Sequence, residues 1–270
     1  MKIINTINLK IAEIINCLLV LSRKVLSFEN FNILDSNAGE LGLIMAPISG
    51  AFFLIAGIVG GIKIDSFYIF AGSILAAIAF FIAHWAGREM MPNCDAAVVN
   101  TNLRIRSHAI FTIKAFVSLA IFIGLLIFGL YISIKLSSLI PMLIPVGFAV
   151  LLLFAVWFLL NPLILNITED NTSSAGNDAL TLYSLPFVMV LRLHRILFGI
   201  GLFYGNLTFG ISIYKFIQDG TNAVLGSGIQ GFAGVIILFT AAISPLLLYI
   251  IFVFSYLFID ILRSILRISK

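Results

Sequence analysis

Long apolar runs alternate with short charged stretches along this chain. Six intervals contain no Asp, Glu, Lys or Arg and are long enough for a helix that crosses a bilayer, which takes about 20 residues. They cover residues 41–62, 66–87, 115–134, 136–168, 196–214 and 220–259. Within them we predict spans at about 43–62, 66–86, 115–134, 140–160, 190–215 and 233–257. The pattern predicts an all-α fold, a polytopic transmembrane helical bundle of about six spans arranged as three hairpins.

The two spans after residue 184 have less regular patterns. Pro186 suits a first helical turn, so we expect one helix from about 186 to 215, with its arginines at the headgroup level. In the last interval Pro245 removes a backbone donor, and the glycines between positions 226 and 234 loosen the helix. We expect a loop or short re-entrant piece there and one span after it. The sequence leaves open whether residues 220–259 form that pair or a single span.

The first 40 residues differ from the rest because their apolar positions follow a helical stripe. Ile3, Ile7, Ile11, Ile14 and Leu18 fall on one face at 100° per residue, and polar residues occupy most of the other. This pattern predicts an amphipathic helix that lies at the cytoplasmic membrane interface or docks on a partner protein. We therefore divide the chain into residues 1–40, the amphipathic helix and linker, and residues 41–270, the six-span domain.

The composition supports a membrane protein. Hydrophobic residues make up 61% of the chain and charged residues only 10%, against about 25% in an average soluble protein. The net charge of +4 lies in residues that flank the apolar runs, which favours contact with lipid headgroups and gives no indication of a nucleic-acid partner.

The basic residues are distributed unevenly between the two sides of the predicted spans. Only Lys63, Lys135 and Lys215 fall on one side, and all eight arginines fall on the other. Cytoplasmic loops carry the excess of Lys and Arg in membrane proteins. The pattern predicts that both termini are cytoplasmic and that the protein is a multi-pass protein of a bacterial cytoplasmic (inner) membrane.

Two basic clusters immediately precede spans on the predicted inner face and are candidate contacts for anionic lipid or an acidic partner. The residues are Arg104, Arg106, His108, Arg192, His194 and Arg195. Orientation of the spans explains the same charges, so both interpretations stay open.

Small residues four positions apart are typical of helix faces that pack closely in a membrane. The candidate packing residues are Gly57, Gly61, Gly72, Ala76, Gly201 and Gly205. Such faces can pack within this bundle or against other membrane subunits, including a second copy of the chain.

Reactive chemistry has little support in the sequence. Residues Gly226–Gly231 match the dinucleotide-binding pattern, but neither a preceding strand nor a following acidic residue accompanies them. The three histidines lack the paired helical spacing of metal ligands. No charged residue lies at the centre of a predicted span, which argues against a proton- or ion-coupled transporter. We predict no catalytic residue, cofactor site or metal site.

The last ninety residues carry a basic amphipathic entry at Leu191–Ile196, a glycine-rich connection, Pro245 and a hydrophobic, basic exit at residues 261–268. In these features residues 181–270 resemble a family of small bacterial two-helix membrane domains of unknown function. The resemblance implies a bacterial source and a membrane location, and it implies no activity. Residues 1–180 show no such resemblance.

These observations favour a non-enzymatic integral membrane subunit or scaffold of a larger bacterial membrane protein complex. The alternative is transport, by a channel or facilitator for a small solute or lipid. Its polar path would have to use Ser49, Ser73, Ser118, Asn206, Thr208, Ser212, Thr240 and Ser244. A membrane enzyme is the third hypothesis, because no acid, base and nucleophile occur in evident register.

Overall fold

The computed structural model describes residues 20–101, 103–107, 109–136, 143–170, 174–219 and 224–268, with Lys10, Glu13, Cys17 and Thr172. Seven helices follow a helical stretch at residues 20–25: α1 (Phe28–Ile64), α2 (Phe67–Asn100), α3 (Ala109–Leu136), α4 (Leu143–Leu160), α5 (Ala175–Arg192), α6 (His194–Asp219) and α7 (Val224–Ile268). Two short strands, β1 (Leu103–Ile105) and β2 (Ile167–Glu169), and a 3₁₀ helix (Pro162–Leu165) lie between them.

Five helices in the described ranges are long and apolar enough to cross a membrane. They lie within Val20–Ile64, Phe67–Asn100, Ala109–Lys135, His194–Gln218 and Gly228–Ile265, and the shorter apolar helix Pro145–Leu160 accompanies them. The all-α prediction is thereby confirmed with five long apolar helices, and the predicted span at 140–160 coincides with the shorter one. The chain is a multi-pass membrane protein.

The chain forms two compact units. Unit 1 comprises residues 1–32 and 101–183, and unit 2 comprises residues 33–100 and 184–270. Helices α1 and α5 each pass from one unit into the other along the chain. The predicted separation of residues 1–40 from 41–270 is a different division and stays a prediction. Most of the predicted N-terminal amphipathic helix lies outside the described residues.

In unit 1, aromatic side chains attach the beginning of α1 to the end of α4. Phe31 is fully buried, and its ring meets those of Trp157 and Phe158 edge-on, at centroid distances of 5.6 and 5.2 Å. The Trp157 Nε1 also donates a hydrogen bond of 2.9 Å to the carbonyl of Ser27. The indole ring of Trp157 therefore packs against Phe31 while its N–H forms a hydrogen bond, so the contact combines apolar burial with a fixed orientation.

The two strands of unit 1 pair in parallel, with Leu103 opposite Ile167 and Ile105 opposite Glu169. Leu103, Ile105 and Ile167 are buried, whereas Arg104 points outward. The Asp170 N–H extends the pairing with a bond of 2.9 Å to the carbonyl of Ile105. Side chains alternate between the two faces of a strand, so Arg104 is exposed while its neighbours Leu103 and Ile105 are buried.

In unit 2, α1 and α2 form a hairpin around Asp65. This residue has a φ of 52°, a conformation that Asp tolerates better than most residues, and the Ser66 N–H donates to the carbonyl of Gly61. Near the turn, α1 approaches α2 closely because Gly57, which has no side chain, faces Ser73. Helices α6 and α7 also pack against each other, and α7 packs against α2.

A cluster of aromatic rings fills the centre of unit 2. Phe53 of α1 packs against Phe80 of α2, Phe209 of α6 and Phe239 of α7, with ring centroids 5.2 to 6.0 Å apart. Phe53, Phe80 and Phe209 are all buried. We call these four side chains, together with the buried Phe198, the aromatic core.

Pro245 lies inside α7 and leaves the carbonyl of Ala241 without its usual backbone donor. The Ser244 hydroxyl replaces that donor with a hydrogen bond of 2.8 Å to the Ala241 oxygen. The neighbouring helix α2 also forms a hydrogen bond here: the thiol of Cys94 donates to the carbonyl of Pro245 at 3.3 Å.

The structure differs from the sequence prediction at three places after residue 86. Helix α2 continues through Pro92 to Asn100, well beyond the predicted end of its span. The single helix predicted from about 186 to 215 is wrong: α5 ends at Arg192 and α6 begins at His194. The Leu193 N–H donates to the carbonyl of Val190 three residues earlier, a tightened turn that interrupts the α-helical pattern.

The glycine-rich segment is also different from the expectation. We predicted a loop or re-entrant piece before the last span, but α7 is helical from Val224 to Ile268. Two of the glycines serve close helix packing, because a side chain at Gly231 would meet Ser212 and one at Gly234 would meet the backbone of Phe209, whereas one at Gly228 would meet nothing within 4 Å.

Candidate functional site

Four helix ends of unit 2 bring two carboxylates and two guanidinium groups together. Asp35 lies near the beginning of α1 and Asp95 near the end of α2, at the end of the hairpin opposite the Asp65 turn. Arg192 is the last residue of α5, and Arg195 is in the first turn of α6. We call these four residues the arginine–aspartate cluster.

Each arginine of the cluster lies within reach of both aspartates. The Nη1 of Arg192 is 3.2 Å from Oδ2 of Asp35 and 3.4 Å from Oδ1 of Asp95. Arg195 Nη2 donates a hydrogen bond to Asp95 Oδ2, and its Nε lies 4.0 Å from Asp35 Oδ2. The four charges balance, so the cluster joins the helix ends without a net charge of its own.

Burial makes the cluster unlike an ordinary surface ion pair. The Asp35 side chain is 5% exposed and that of Arg192 is 14% exposed, whereas Asp95 and Arg195 are about one third exposed. Two charges removed from water pay a desolvation cost, and they tolerate it only when they stay paired. Loss of one member would therefore leave three charges that no longer balance in a largely buried site.

His194 lies between the two arginines and is fully buried. Its Nδ1 is 3.0 Å from the carbonyl of Leu191, and its Nε2 is 3.8 Å from Oδ1 of Asp95, beyond hydrogen-bonding distance. The imidazole thus binds the turn between α5 and α6.

The first predicted basic cluster belongs to unit 1. Arg104 forms an exposed ion pair of 3.2 Å with Asp170, and the backbone N–H of Arg106 donates to Asp178. The Thr172 hydroxyl and N–H both donate to Asp170, and these bonds hold the pKa of that carboxyl below its usual value. His108 lies outside the described residues. Contact of these groups, or of Arg192, His194 and Arg195, with anionic lipid or a partner stays a prediction.

The candidate packing residues have different surroundings. Gly57 and Gly61 face Ser73 and Phe70 of α2, while Gly201 and Gly205 face Ala241 and Leu238 of α7. Ala76 packs against the buried centre of unit 2. A side chain at Gly72 would meet nothing within 4 Å, so this glycine has no close neighbour among the described residues.

Two closer approaches were missing from the sequence prediction. A Cβ at Gly87 would collide with the carbonyl oxygen of Ala242, and one at Gly199 would collide with that of Ala38. Ala83 lies four positions before Gly87, so the small-residue pattern extends to this glycine, whereas Gly199 has no small residue four positions away. The nearest atom to a Cβ at either glycine would be a backbone oxygen rather than a side-chain atom.

The hydroxyl groups considered for a polar path are mostly engaged by their own helices. Ser49, Ser73, Thr208 and Ser244 donate to carbonyls three or four residues earlier, over 2.8 to 3.0 Å. Such local bonds satisfy a hydroxyl inside a membrane helix without any contact with solvent or a solute.

Asn206 is different because its amide reaches another helix. Its Nδ2 donates a bond of 3.0 Å to the carbonyl of Met45 in α1, and the side chain is buried. Its Oδ1 has no hydrogen-bond partner among the described residues. Asn206 also lines an open cavity of about 480 Å³ between α1 and α6, which we call the α1–α6 groove.

The remaining sequence motifs contribute no chemistry here. Residues Gly226–Gly231 lie in the first turns of α7, not in a turn between a strand and a helix. Within the described part of the chain, no group of three or more His, Cys, Asp or Glu side chains could hold a metal ion.

No family model, curated protein or solved structure matches this chain.

Proposed function

We propose that this chain is a non-enzymatic integral membrane subunit or scaffold of a larger bacterial membrane complex. The aromatic core is the observation that carries the proposal. Phe53, Phe80, Phe209 and Phe239 meet at the centre of unit 2, where a solute path through this helix bundle would have to run. A packed aromatic centre supports a role performed by the outer surface of the bundle.

The outer surface is strongly apolar, as a protein in contact with lipid or other membrane helices requires. Over an apolar stretch of 18 residues in each of α2 and α3, only 11% of the residues are buried. Large side chains such as Leu75, Ile127 and Phe254 are more than 60% exposed. Lipid covers such surface without specificity, and partner helices cover it where small or polar residues add direction.

The alternative, a channel or facilitator for a small solute or lipid, has less support. Four of the hydroxyls that it would use donate to their own helices. The buried charges of the arginine–aspartate cluster lie at helix ends and are paired with one another. Both features favour stable packing over conduction.

The membrane topology is part of the proposal. We infer six crossings, with α4 as the shorter one, since an 18-residue helix extends about 27 Å and nearly matches a hydrocarbon core of about 30 Å. The distribution of arginines supports cytoplasmic termini. The resemblance of residues 181–270 supports a bacterial source and an inner-membrane location.

The proposal is tested by purifying the affinity-tagged chain from its native membrane in a mild detergent. We expect a complex of defined stoichiometry with at least one other membrane protein, and its loss in a harsh detergent that leaves the chain folded. A monomer without a partner would contradict the proposal, and a solute or lipid flux in liposomes that contain the chain alone would favour the alternative.

A further inference from the structure

A pocket of about 290 Å³ lies in unit 1, where α3 begins and α4 ends. Its walls come from the helical stretch before α1, the first turns of α1 and α3, and the end of α4 with the 3₁₀ helix that follows. They include Arg23, Phe28, Thr112, Leu160, Asn161 and Leu163. All of these residues belong to one compact unit, so a single body of the chain forms the pocket. Its volume is at the small end of ligand sites, which start at roughly 300 Å³.

Hydrogen bonds fix the wall that residues 23–28 form. The indole N–H of Trp157 donates to the carbonyl of Ser27 at 2.9 Å, and the Asn161 amide donates to the carbonyls of Leu26 and Trp157. Both amide protons of Asn161 are used in this way, so Asn161 holds the wall in place and leaves the binding of a ligand to other groups. The pocket is therefore a preformed site, which binds a ligand without having to order a loop first.

The charges at the pocket favour an anion. Among the described residues, Arg23 is the only charged one that lines it; the side chain is exposed and has no ion pair or hydrogen bond within the described ranges. Within two positions of a lining residue the sequence adds Lys24, Glu29 and Lys114, so three of the four charges are basic. A guanidinium group binds phosphate oxygens through parallel N–H donors, which makes a phosphate group the fitting anion.

The apolar margin of the pocket favours a lipid over a soluble anion. Phe28 is 48% exposed and Leu163 is 67% exposed, and both line the pocket. An acyl chain covers such surface, whereas a free phosphate leaves it in water. An anionic phospholipid carries the phosphate and the acyl chains in one molecule, and lipid surrounds every protein of this class. An acidic protein partner would have to supply both parts from a further molecule.

The depth of the pocket also suits a lipid headgroup. The apolar helices α3 and α4 pack against each other, and α3 begins on the side where α4 ends. The ring of Trp157 lies one helical turn before Asn161, and Trp side chains are enriched where the hydrocarbon meets the headgroups. The basic residues Arg23, Lys24 and Lys114 occur at the same ends of the helices, as residues near anionic headgroups do.

We propose that this pocket, which we call the Arg23 pocket, binds one anionic phospholipid. The phosphate group lies on the guanidinium group of Arg23, and an acyl chain covers Phe28 and Leu163. The site differs from the two basic clusters described above, since the guanidinium groups of Arg104 and Arg192 are paired with aspartates. The inference goes beyond the proposed function, because a lipid can bind here with or without a partner subunit.

Native mass spectrometry of the purified chain in a neutral detergent tests the binding. The chain is titrated with phosphatidylglycerol and with phosphatidylcholine of the same acyl chains, whose choline cation offsets the phosphate charge. We expect the first phosphatidylglycerol to bind about five-fold more tightly, the factor expected for one basic residue near anionic lipid. Inorganic phosphate should not displace it, because phosphate carries no acyl chain to cover the apolar margin.

Substitutions test the assignment to Arg23. Arg23→Gln should lower the affinity for phosphatidylglycerol about five-fold, to that for phosphatidylcholine, while Arg23→Lys should keep the preference because it keeps the charge. The matched control is Arg88→Gln: Arg88 of α2 is also exposed and has no ion pair among the described residues, but it lies in unit 2. This control should leave the affinity unchanged, since a neutral detergent presents no anionic surface.

A photoreactive lipid locates the site in the unchanged protein, so the test does not depend on whether Arg23→Gln folds. The probe is phosphatidylglycerol with a diazirine in one acyl chain. We expect it to label the peptides that contain Phe28 or Leu163, and unlabelled phosphatidylglycerol should suppress this label more strongly than phosphatidylcholine does.

Four results would overturn the inference. They are equal binding of the two lipids, an equal loss in Arg23→Gln and Arg88→Gln, label spread evenly over the apolar helices, and displacement of the lipid by inorganic phosphate. The last would identify a site for a soluble anion. If Arg23→Gln instead releases a protein partner and leaves lipid binding unchanged, the pocket is a protein contact and the inference also fails. The proposed function is tested separately, because none of these measurements depends on a co-purifying subunit.

Discussion

Arg192 Nη1 lies 3.2 Å from Asp35 Oδ2, although 157 positions separate the two residues along the chain. The contact joins the end of α5 to the beginning of α1 within unit 2, and both side chains are largely buried. A charged contact over so long a separation cannot arise from local structure, so it marks a constraint on the tertiary fold.

The first prediction concerns this pair. Asp35→Asn should lower the free energy of unfolding by about 1.5–3 kcal/mol, the range for a hydrogen bond to a charged group, because the buried Arg192 then keeps only Asp95 as its charge partner. Thermal melting in detergent measures the change. Asp260→Asn is the matched control: its pair with Arg263 is exposed and should contribute less than about 1 kcal/mol. Equal losses in the two variants would contradict the prediction.

The second prediction uses two glycines of the same helix. Gly87→Ala should destabilise the protein by about 1–3 kcal/mol, because the added methyl group meets the carbonyl oxygen of Ala242. Gly72→Ala should be neutral or slightly stabilising, since nothing lies within 4 Å and alanine favours the helix. The melting temperatures of the two variants, measured in one detergent, test this prediction. A loss of stability in Gly72→Ala alone would contradict it.

The third prediction concerns the proline in α7. Ser244→Ala should cost about 1 kcal/mol, because it removes the donor to the Ala241 carbonyl. In a Pro245→Ala background the same change should cost much less, since residue 245 then supplies the missing N–H. A double-mutant cycle by thermal unfolding measures the coupling. An identical cost in both backgrounds would show that the hydroxyl does not compensate for the proline.

The fourth prediction concerns pH. Because the Thr172 hydroxyl, and then its N–H, lowers the pKa of Asp170, the folded state favours the carboxylate. The associated stabilisation is present above the unfolded pKa of about 3.9 and is lost as the pH falls through the lower folded pKa. Thr172→Val should raise the Asp170 pKa in an NMR titration of carboxyl carbons. Arg104→Gln should raise it less, and the reverse order would contradict this account.

Much of the fold could be predicted because lipid imposes a simple rule on the sequence. A chain that crosses hydrocarbon must satisfy its backbone within helices, so long intervals without charge indicate where helices lie. Helices α1, α2, α3 and α6 fall on such intervals. The rule reports only the apolar part of a helix, which is why the extension of α2 through Pro92 to Asn100 was missed.

The prediction of a loop from the glycines before the last span is wrong for a physical reason. A glycine can loosen a chain or let two helices approach, and the local sequence is the same in both cases. In α7 two of the glycines allow close packing against α6, because Gly231 and Gly234 face Ser212 and Phe209 of that helix. That information lies about twenty residues away in sequence and cannot be read from the glycine pattern itself.

The sequence predicts the arginines of the arginine–aspartate cluster as candidate contact residues, but not its aspartates. The arginines were recognised as basic residues on one side of the membrane, but Asp35 and Asp95 were not assigned to them. A signal was present: both acids fall on the same predicted side as the arginines, next to apolar runs. Pairing the acidic and basic residues of one side would have suggested the cluster, although not which residues meet.

The division of unit 2 into two chain segments has a consequence for synthesis at the ribosome. Asp95 is made 97 residues before Arg192, and the whole of residues 101–183 is translated between them. The two carboxylates of the first hairpin therefore have no arginine of the cluster to pair with until Arg192 has been synthesised. Their ion pairs become possible only when the turn at Leu193 emerges, and the contacts of α2 with α7 form later still, because α7 is synthesised last.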